Sequence, residues 1–319
     1  MQLDRTEITI RQRSTSELFD LTLVVFRRHA RRILVSAILF GGPIMLAIVA
    51  STSWMLDSES LLAAESAGAP VRVTRWRHAM HVLLVWYLVF PMASLPITLL
   101  LGKLIFLEQI TTGQLLRALA RSARRWLLVL GGMRLGLIGW LILLFLPRFD
   151  PFANPQELML FFLLLPTVML IRSVRPFAPE ILVLEECPLR ARQAWEIPYR
   201  RRVRSLHRFA TGDNIGRGAL LGVVLTLLGL SLAGNAMFVQ GSATGNWSWN
   251  AWWDHVIVPG LFWLLGIYAA VFRFVAYLDT RIRTEGWEVE LRMRAEAQRL
   301  AASQGPSLTP HRAAEGVAS

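Results

Sequence analysis

Long apolar runs, separated by clusters of arginine, constrain this chain more than any other feature of its sequence. Hydrophobic residues make up 54% of the 319 residues. A helix needs roughly 20 mainly apolar residues to cross the hydrocarbon core of a membrane. The chain therefore predicts an all-α, polytopic membrane helix bundle with about six transmembrane helices. The predicted spans are 33–55, 80–105, 127–146, 157–175, 218–239 and 256–278.

The distribution of basic residues predicts an orientation for these spans. Of the 34 lysines and arginines, 28 fall in segments that would face the cytoplasm and four in segments that would face outward. Cytoplasmic loops carry the excess of positive charge in membrane proteins. We therefore expect a bacterial inner-membrane protein with both termini in the cytoplasm. The net charge of +12 then indicates contact with anionic lipid headgroups rather than with nucleic acid.

The chain divides into a membrane domain and three peripheral segments. The first segment is a polar cytoplasmic tail, the second a charged helix with Glu-to-Arg pairs at i,i+4, and the third a polar, disordered C-terminal tail. The predicted boundaries are 1–13 for the first tail, 14–285 for the membrane domain, 286–303 for the cytoplasmic helix and 304–319 for the last tail.

Two amphipathic segments precede apolar spans. Ser14 and Glu17 form a capping-box pattern, which predicts a helix that begins near Thr15. Residues 15–32 then combine an apolar side with late arginines, as expected of an elbow helix that lies along the headgroups. Residues 111–126 repeat this combination before the third predicted span.

Charged side chains inside predicted spans need an explanation, because each is unfavourable by about 2.5–3.5 kcal/mol on insertion scales. Arg134 lies within the third predicted span. One hypothesis is that it binds an anion or a lipid headgroup between helices. The other is that its long side chain reaches toward the cytoplasmic face or pairs with a carboxylate.

Further charges lie at the cytoplasmic ends of the fourth and sixth predicted spans. Arg172 and Arg175 are candidates for headgroup binding or for anchoring, and Glu180, Glu185 or Glu186 can pair with them. Arg273 lies six residues before Asp279, and we expect an ion pair there that faces the bundle.

No pattern in the sequence predicts a catalytic residue or a cofactor. Cys187 is the only cysteine, which excludes an intrachain disulfide and a cysteine-based metal cluster. His78 and His81 share one helical face, and Asp57, Glu59 or Glu65 of the preceding loop are candidate further ligands, but nothing fixes their spacing, so we predict no metal site.

Three stretches resemble a broad family of uncharacterised bacterial multi-pass membrane proteins. They are SELFDLTLVVFRRHARRILVSAILF near the N-terminus, APEILVLEECPLRARQAWEI in the middle and FVAYLDTRIRTEGWEVELRMRAEA near the C-terminus. This family is similar to the membrane domain of glycerophosphoryl diester phosphodiesterases. In that group the catalysis belongs to a separate soluble barrel, for which this chain has no room. The resemblance therefore implies a membrane scaffold, with a role in lipid or envelope processes, and no catalytic residue.

These observations favour a non-enzymatic scaffold or regulatory subunit of a membrane complex. Its protein partner would bind the arginine-rich segment 176–217 or the C-terminal helix. A transporter or permease subunit is the first alternative, because proline and glycine interrupt several spans. A lipid- or envelope-related membrane enzyme is the second, with Arg134, Arg172 and Arg175 gripping a phosphate.

Overall fold

Every regular element in the part that the computed structural model of the chain describes is helical. That part comprises residues 11–57, 61–62, 71–105, 108, 110–144, 159–191, 193, 195–208 and 210–286. The predicted helix 286–303 and tail 304–319 lie outside the described residues, apart from Gly286. The α-helices are α1 (Thr15–Ser36), α2 (Gly42–Thr52), α3 (Val71–Ala93), α4 (Leu95–Ile105), α5 (Thr112–Trp126), α6 (Gly136–Leu144), α7 (Leu165–Val174), α8 (Ala178–Val183), α9 (Tyr199–His207), α10 (Thr211–Thr244) and α11 (Val258–Glu285).

Both predicted amphipathic helices are present, and each begins with a reciprocal cap. The Ser14 hydroxyl accepts the N–H of Glu17, and the Glu17 carboxylate accepts the N–H of Ser14 at 2.8 Å. Thr111 and Gln114 form the same reciprocal cap at the start of α5. His29 has non-helical backbone angles, and this kink separates the elbow from the first span within α1.

Four helical segments are long and apolar enough to cross a membrane. Three of them join neighbouring helices or helical turns, the fourth is α10 alone, and their lengths are 32 to 42 residues. The four are Thr15–Leu56, Thr74–Ile105, Thr211–Thr244 and Trp253–Glu285. They agree in position with the first, second, fifth and sixth predicted spans.

The third and fourth predicted spans are shorter and interrupted. A π-helical turn, Leu127–Met133, precedes α6, and another, Leu160–Leu164, precedes α7. Between Met133 and α6 the backbone breaks at Arg134, and Leu135 has a positive φ of 60°. A residue other than glycine, such as Leu135, adopts this left-handed conformation only when its surroundings impose it. Of the six predicted spans, the structure shows four as long apolar helices.

One end of the bundle collects most of the charge, and we call it the basic end. The N–H of Arg13, just before α1, donates to Asp279 near the end of α11 at 2.9 Å. Arg217, near the start of α10, donates to the same carboxylate at 2.6 Å. At the opposite end, Trp249 donates to Asp254 at 2.5 Å, and Trp76 packs on Trp249. Tryptophan is enriched at membrane–water interfaces.

Helices α3 and α4 form the centre of the bundle, whereas α10 lies at its periphery. Leu88, Leu95 and Leu101 of α3 and α4 are at most 1% exposed. Along α10 only Asn214, Arg217 and Gly241 are buried, and most of its leucines and valines are exposed. Such a surface is favourable in lipid, which is as apolar as leucine itself.

Two glycines allow α6 to approach α3 closely. A Cβ at Gly136 would lie 2.7 Å from the Leu130 carbonyl oxygen and 3.0 Å from that of Leu88. A Cβ at Gly139 would lie 2.3 Å from a methyl carbon of Leu88. The contact between α6 and α3 therefore requires residues without side chains.

We predict that Gly136→Ala loosens this contact and lowers the unfolding free energy by about 1–3 kcal/mol, as overpacking does. The neighbours at Gly136 are backbone oxygens, which cannot rotate away. Gly132→Ala is the matched control, because nothing lies within 4 Å of its Cβ position. Thermal unfolding of the detergent-purified protein measures both. Equal midpoints for the two variants would contradict the close approach of α6 to α3.

Candidate functional site

An ion pair between Arg273 and Glu180 lies inside the bundle. The Arg273 Nε donates to Glu180 Oε1 at 2.7 Å, and its Nη2 donates to the Ser94 hydroxyl at 2.8 Å. Glu180 is fully buried, and its second oxygen has no hydrogen-bond partner among the described residues. A buried charge is tolerated when it is paired in this way.

Asp279 is not the partner of Arg273, so that part of the predicted pairing is wrong. Six residues along a helix turn a side chain by about 240°, which places Asp279 on another face of α11. Its carboxylate instead accepts from Arg217 at 2.6 Å and from Arg283 at 2.8 Å. Asp279 thereby joins the end of α11 to the start of α10 and to the backbone before α1.

Arg172 binds backbone carbonyls rather than a carboxylate. Its guanidinium donates to the carbonyl of Tyr87 and, at 2.7 Å, to that of Leu88. The Tyr87 carbonyl lacks its usual helical donor, because residue 91 is proline and has no N–H. The guanidinium also stacks over the Tyr87 ring, 4.5 Å from its centre.

Arg134 caps the end of a neighbouring helix. Its Nη2 donates to the carbonyl of Arg175, directly after α7, at 2.7 Å. Cations are favourable there because the last carbonyls of a helix carry partial negative charge. The side chain also contacts the Tyr199 phenol. Burial raises the pKa of that phenol, so Tyr199 stays neutral at pH 7 and does not balance the arginine.

Arg175 is exposed, and the described residues provide no partner for its side chain. The expected pairing of Arg172 or Arg175 with Glu180, Glu185 or Glu186 does not occur, because Arg273 takes Glu180 and Arg202 takes Glu185. We define the arginine cluster as the set that shares this region. It comprises Arg134, Arg172, Arg175, Arg273 and the single carboxylate Glu180.

A second network, which the sequence did not predict, closes the basic end around Glu185. Arg202 of α9 binds both Glu185 and Glu285, and Tyr277 donates to Glu185 at 2.6 Å. Arg281 binds Glu285 through two nitrogens. Of these contacts, only that between Arg281 and Glu285 has a local signal in the sequence, because residues four apart on a helix are neighbours.

His207 packs beneath α8 as a neutral imidazole. Its Nε2 accepts the N–H of Phe177 at 3.5 Å, so the proton lies on Nδ1, which donates to the Val203 carbonyl at 2.8 Å. Its ring stacks on Phe177. Burial lowers the pKa of His207 to about 4, and the charges of Arg134 and Arg175 act in the same direction.

The remaining reactive side chains do not form a site. No group of three histidines, cysteines or carboxylates suited to a metal occurs among the described residues. His78 contacts the Thr52 hydroxyl, and His81 contacts the Arg77 carbonyl. Burial and the nearby Glu185 charge raise the pKa of the Cys187 thiol to about 11, which leaves it protonated and weakly nucleophilic at pH 7.

No protein-family model, no curated protein and no solved structure matches this chain. The resemblance carried by the elbow, the central segment and the C-terminal motif stays a prediction.

The Arg273–Glu180 pair generates a test by double substitution. Arg273→Met or Glu180→Leu alone leaves a buried charge without its partner, and we expect each to lower the unfolding free energy by about 3–5 kcal/mol. The double variant should recover most of this loss. Lys103→Met is the control, since its exposed pair with Glu108 contributes at most about 1 kcal/mol. Additive losses in the double variant would show that the two groups do not interact.

His207 predicts a loss of stability in acid. Its pKa is about 4 in the folded protein and about 6.5 in the unfolded chain, so the unfolded chain binds the extra proton. Stability is therefore complete above pH 6.5 and falls as the pH drops to 4, by up to about 3 kcal/mol. Unfolding midpoints of wild type and His207→Phe across this window measure the effect. Identical pH profiles would contradict it.

Proposed function

We propose that this chain is a bacterial inner-membrane protein that crosses the membrane six times, with both termini in the cytoplasm, and acts as a non-enzymatic scaffold or regulatory subunit of a membrane complex. The observation that carries the proposal is that the carboxylates and the outer arginines at the basic end have different roles. Carboxylates there join distant segments of the chain, and arginines on the outer faces remain exposed.

The internal ion pairs make the basic end a fixed platform. Asp279 ties the segment before α1 to α10 and α11, and Glu185 ties α9 to α11. Hydrogen bonds to charged groups contribute about 1.5–3 kcal/mol each, so several of them hold these segments in one arrangement. A platform that keeps its shape suits a docking role, because little order is lost when a partner binds.

The outer faces of α5 and α9 offer charge to a partner. Each helix buries an apolar side, with Leu115 in α5 and Leu206 in α9 both at most 3% exposed. Each exposes arginines on its other side: Arg117, Arg121 and Arg124 in α5, and Arg200, Arg201 and Arg204 in α9. These rows favour an acidic protein segment, and α9 belongs to the predicted docking segment 176–217.

A transporter or permease subunit is the alternative that one observation favours. The backbone breaks at Arg134 and Leu135, and Arg172 of α7 reaches the Tyr87 and Leu88 carbonyls near the middle of the long helical run Thr74–Ile105. Discontinuous helices with charged groups at such depth are typical of transporters. This function would predict uptake or exchange activity in vesicles, which a scaffold lacks.

Photo-crosslinking in cells tests the docking role. We expect a benzoylphenylalanine placed at Arg201 or Arg121 to yield a discrete cross-linked protein. The control position, Leu227, is 62% exposed on the apolar face of α10 and should yield no cross-linked protein. Reversing the charges of Arg200 and Arg204 should remove the product obtained from position 201.

Protein capture from position 227 alone would contradict the proposal. The absence of any cross-linked protein from positions 201 and 121 would also contradict it, provided that both variants insert and accumulate normally.

A further inference from the structure

The arginine cluster contains four positive charges but only one negative charge, that of Glu180. Arg273 and Glu180 neutralise each other through their 2.7 Å contact. Arg134, Arg172 and Arg175 remain, and the part of the chain that the structure describes offers none of them a carboxylate in contact. Uncompensated guanidinium groups between helices are strongly unfavourable, which points to an anion from outside the chain.

The hydrogen bonds that these arginines make orient them without neutralising them. Arg172 and Arg134 donate to neutral carbonyls of Tyr87, Leu88 and Arg175. A guanidinium has five N–H donors, and the Arg172 Nε is buried without a partner. Donors therefore remain for an acceptor with several oxygens.

The backbone at the cluster is built to hold Arg134 in place. Leu135 adopts a left-handed conformation immediately after it, and Gly136 then packs against the Leu88 carbonyl. Strained backbone of this kind persists where the surroundings impose it, and it is enriched at ligand sites.

The cluster is open on the side of α7, where an apolar surface adjoins it. Arg134 is buried, with 7% of its surface exposed, whereas Arg175 is exposed. Met169 lies one turn before Arg172 and is 51% exposed, and Leu170 beside it is 64% exposed. A group of arginines next to an exposed apolar strip matches a molecule with an anionic head and hydrocarbon chains.

We propose that Arg134, Arg172 and Arg175 bind the phosphate group of an anionic lipid whose acyl chains lie along the exposed face of α7. The planar guanidinium fork matches the oxygens of a phosphate, and such charge-assisted bonds are among the strongest in proteins. Arg175, which is exposed, contacts the phosphate at the surface, and Arg134 and Arg172 bind it deeper in the bundle. This inference concerns the inside of the bundle and does not depend on the scaffold role of the outer faces.

Native mass spectrometry of the purified full chain tests the site with three probes. Dioleoylphosphatidylglycerol is the anionic lipid, dioleoylphosphatidylcholine has the same chains without net charge, and inorganic phosphate is the free anion. We expect the wild-type protein to bind the anionic lipid at least about tenfold more tightly than the zwitterionic one, the ratio that a single charge-assisted contact supplies. Millimolar inorganic phosphate should not displace it.

Matched variants assign the binding to the cluster. Arg172→Gln/Arg175→Gln should weaken binding of the anionic lipid by about tenfold or more. Arg200→Gln/Arg204→Gln removes two exposed arginines of the same end and should leave the affinity unchanged. Arg175→Gln alone retains every hydrogen bond that holds the helices, so it should keep the wild-type unfolding midpoint and still weaken binding.

Several results would overturn the inference. Unchanged affinity in Arg175→Gln and in the double variant would exclude the cluster, and an equal loss in Arg200→Gln/Arg204→Gln would show attraction by net charge only. Displacement of the lipid by inorganic phosphate would identify a free anion as the ligand instead. If the double variant does not fold, the affinity of Arg175→Gln decides.

Discussion

The pairing of arginines inside an apolar helix bundle is the constraint on which the rest of this structure depends. A guanidinium cannot lose its proton in a protein, so each buried arginine must find acceptors. Arg273 finds Glu180, and Arg172 finds carbonyls of α3. These contacts connect α11 to α8 and α7 to α3, so they fix the central helices relative to one another.

Breaks in the helices supply the acceptors that these arginines need. Pro91 frees the Tyr87 carbonyl for Arg172, and the end of α7 frees the Arg175 carbonyl for Arg134. Ser94, at the junction of α3 and α4, accepts from Arg273. The residues that interrupt the spans are therefore part of the polar framework. A separate break, at Arg134 and Leu135, interrupts the third apolar segment.

The two ends of the bundle use charge differently. At the opposite end a few contacts, such as that between Arg75 and Asp254, lie among tryptophans. At the basic end Asp279 and Glu185 each hold several segments, and the amphipathic helices α5 and α9 cover the bundle with their arginines outward. The basic end thus combines an internal framework of ion pairs with an exposed basic surface. The arginine cluster lies between that end and the carbonyls of α3 that Arg172 contacts.

The sequence by itself determined the helical class, the positions of the four long helices and the start of α1. These properties depend on hydropathy over a window and on capping residues three positions apart, so they are local. It also pointed to Arg134, Arg172, Arg175, Glu180, Arg273 and Asp279 as charges that need an explanation. Only the tertiary structure decided their partners. Glu180 is 93 residues from Arg273, and Arg217 is 62 from Asp279. Spacing along the chain cannot reveal such pairs, because which helix faces meet depends on how the whole bundle packs.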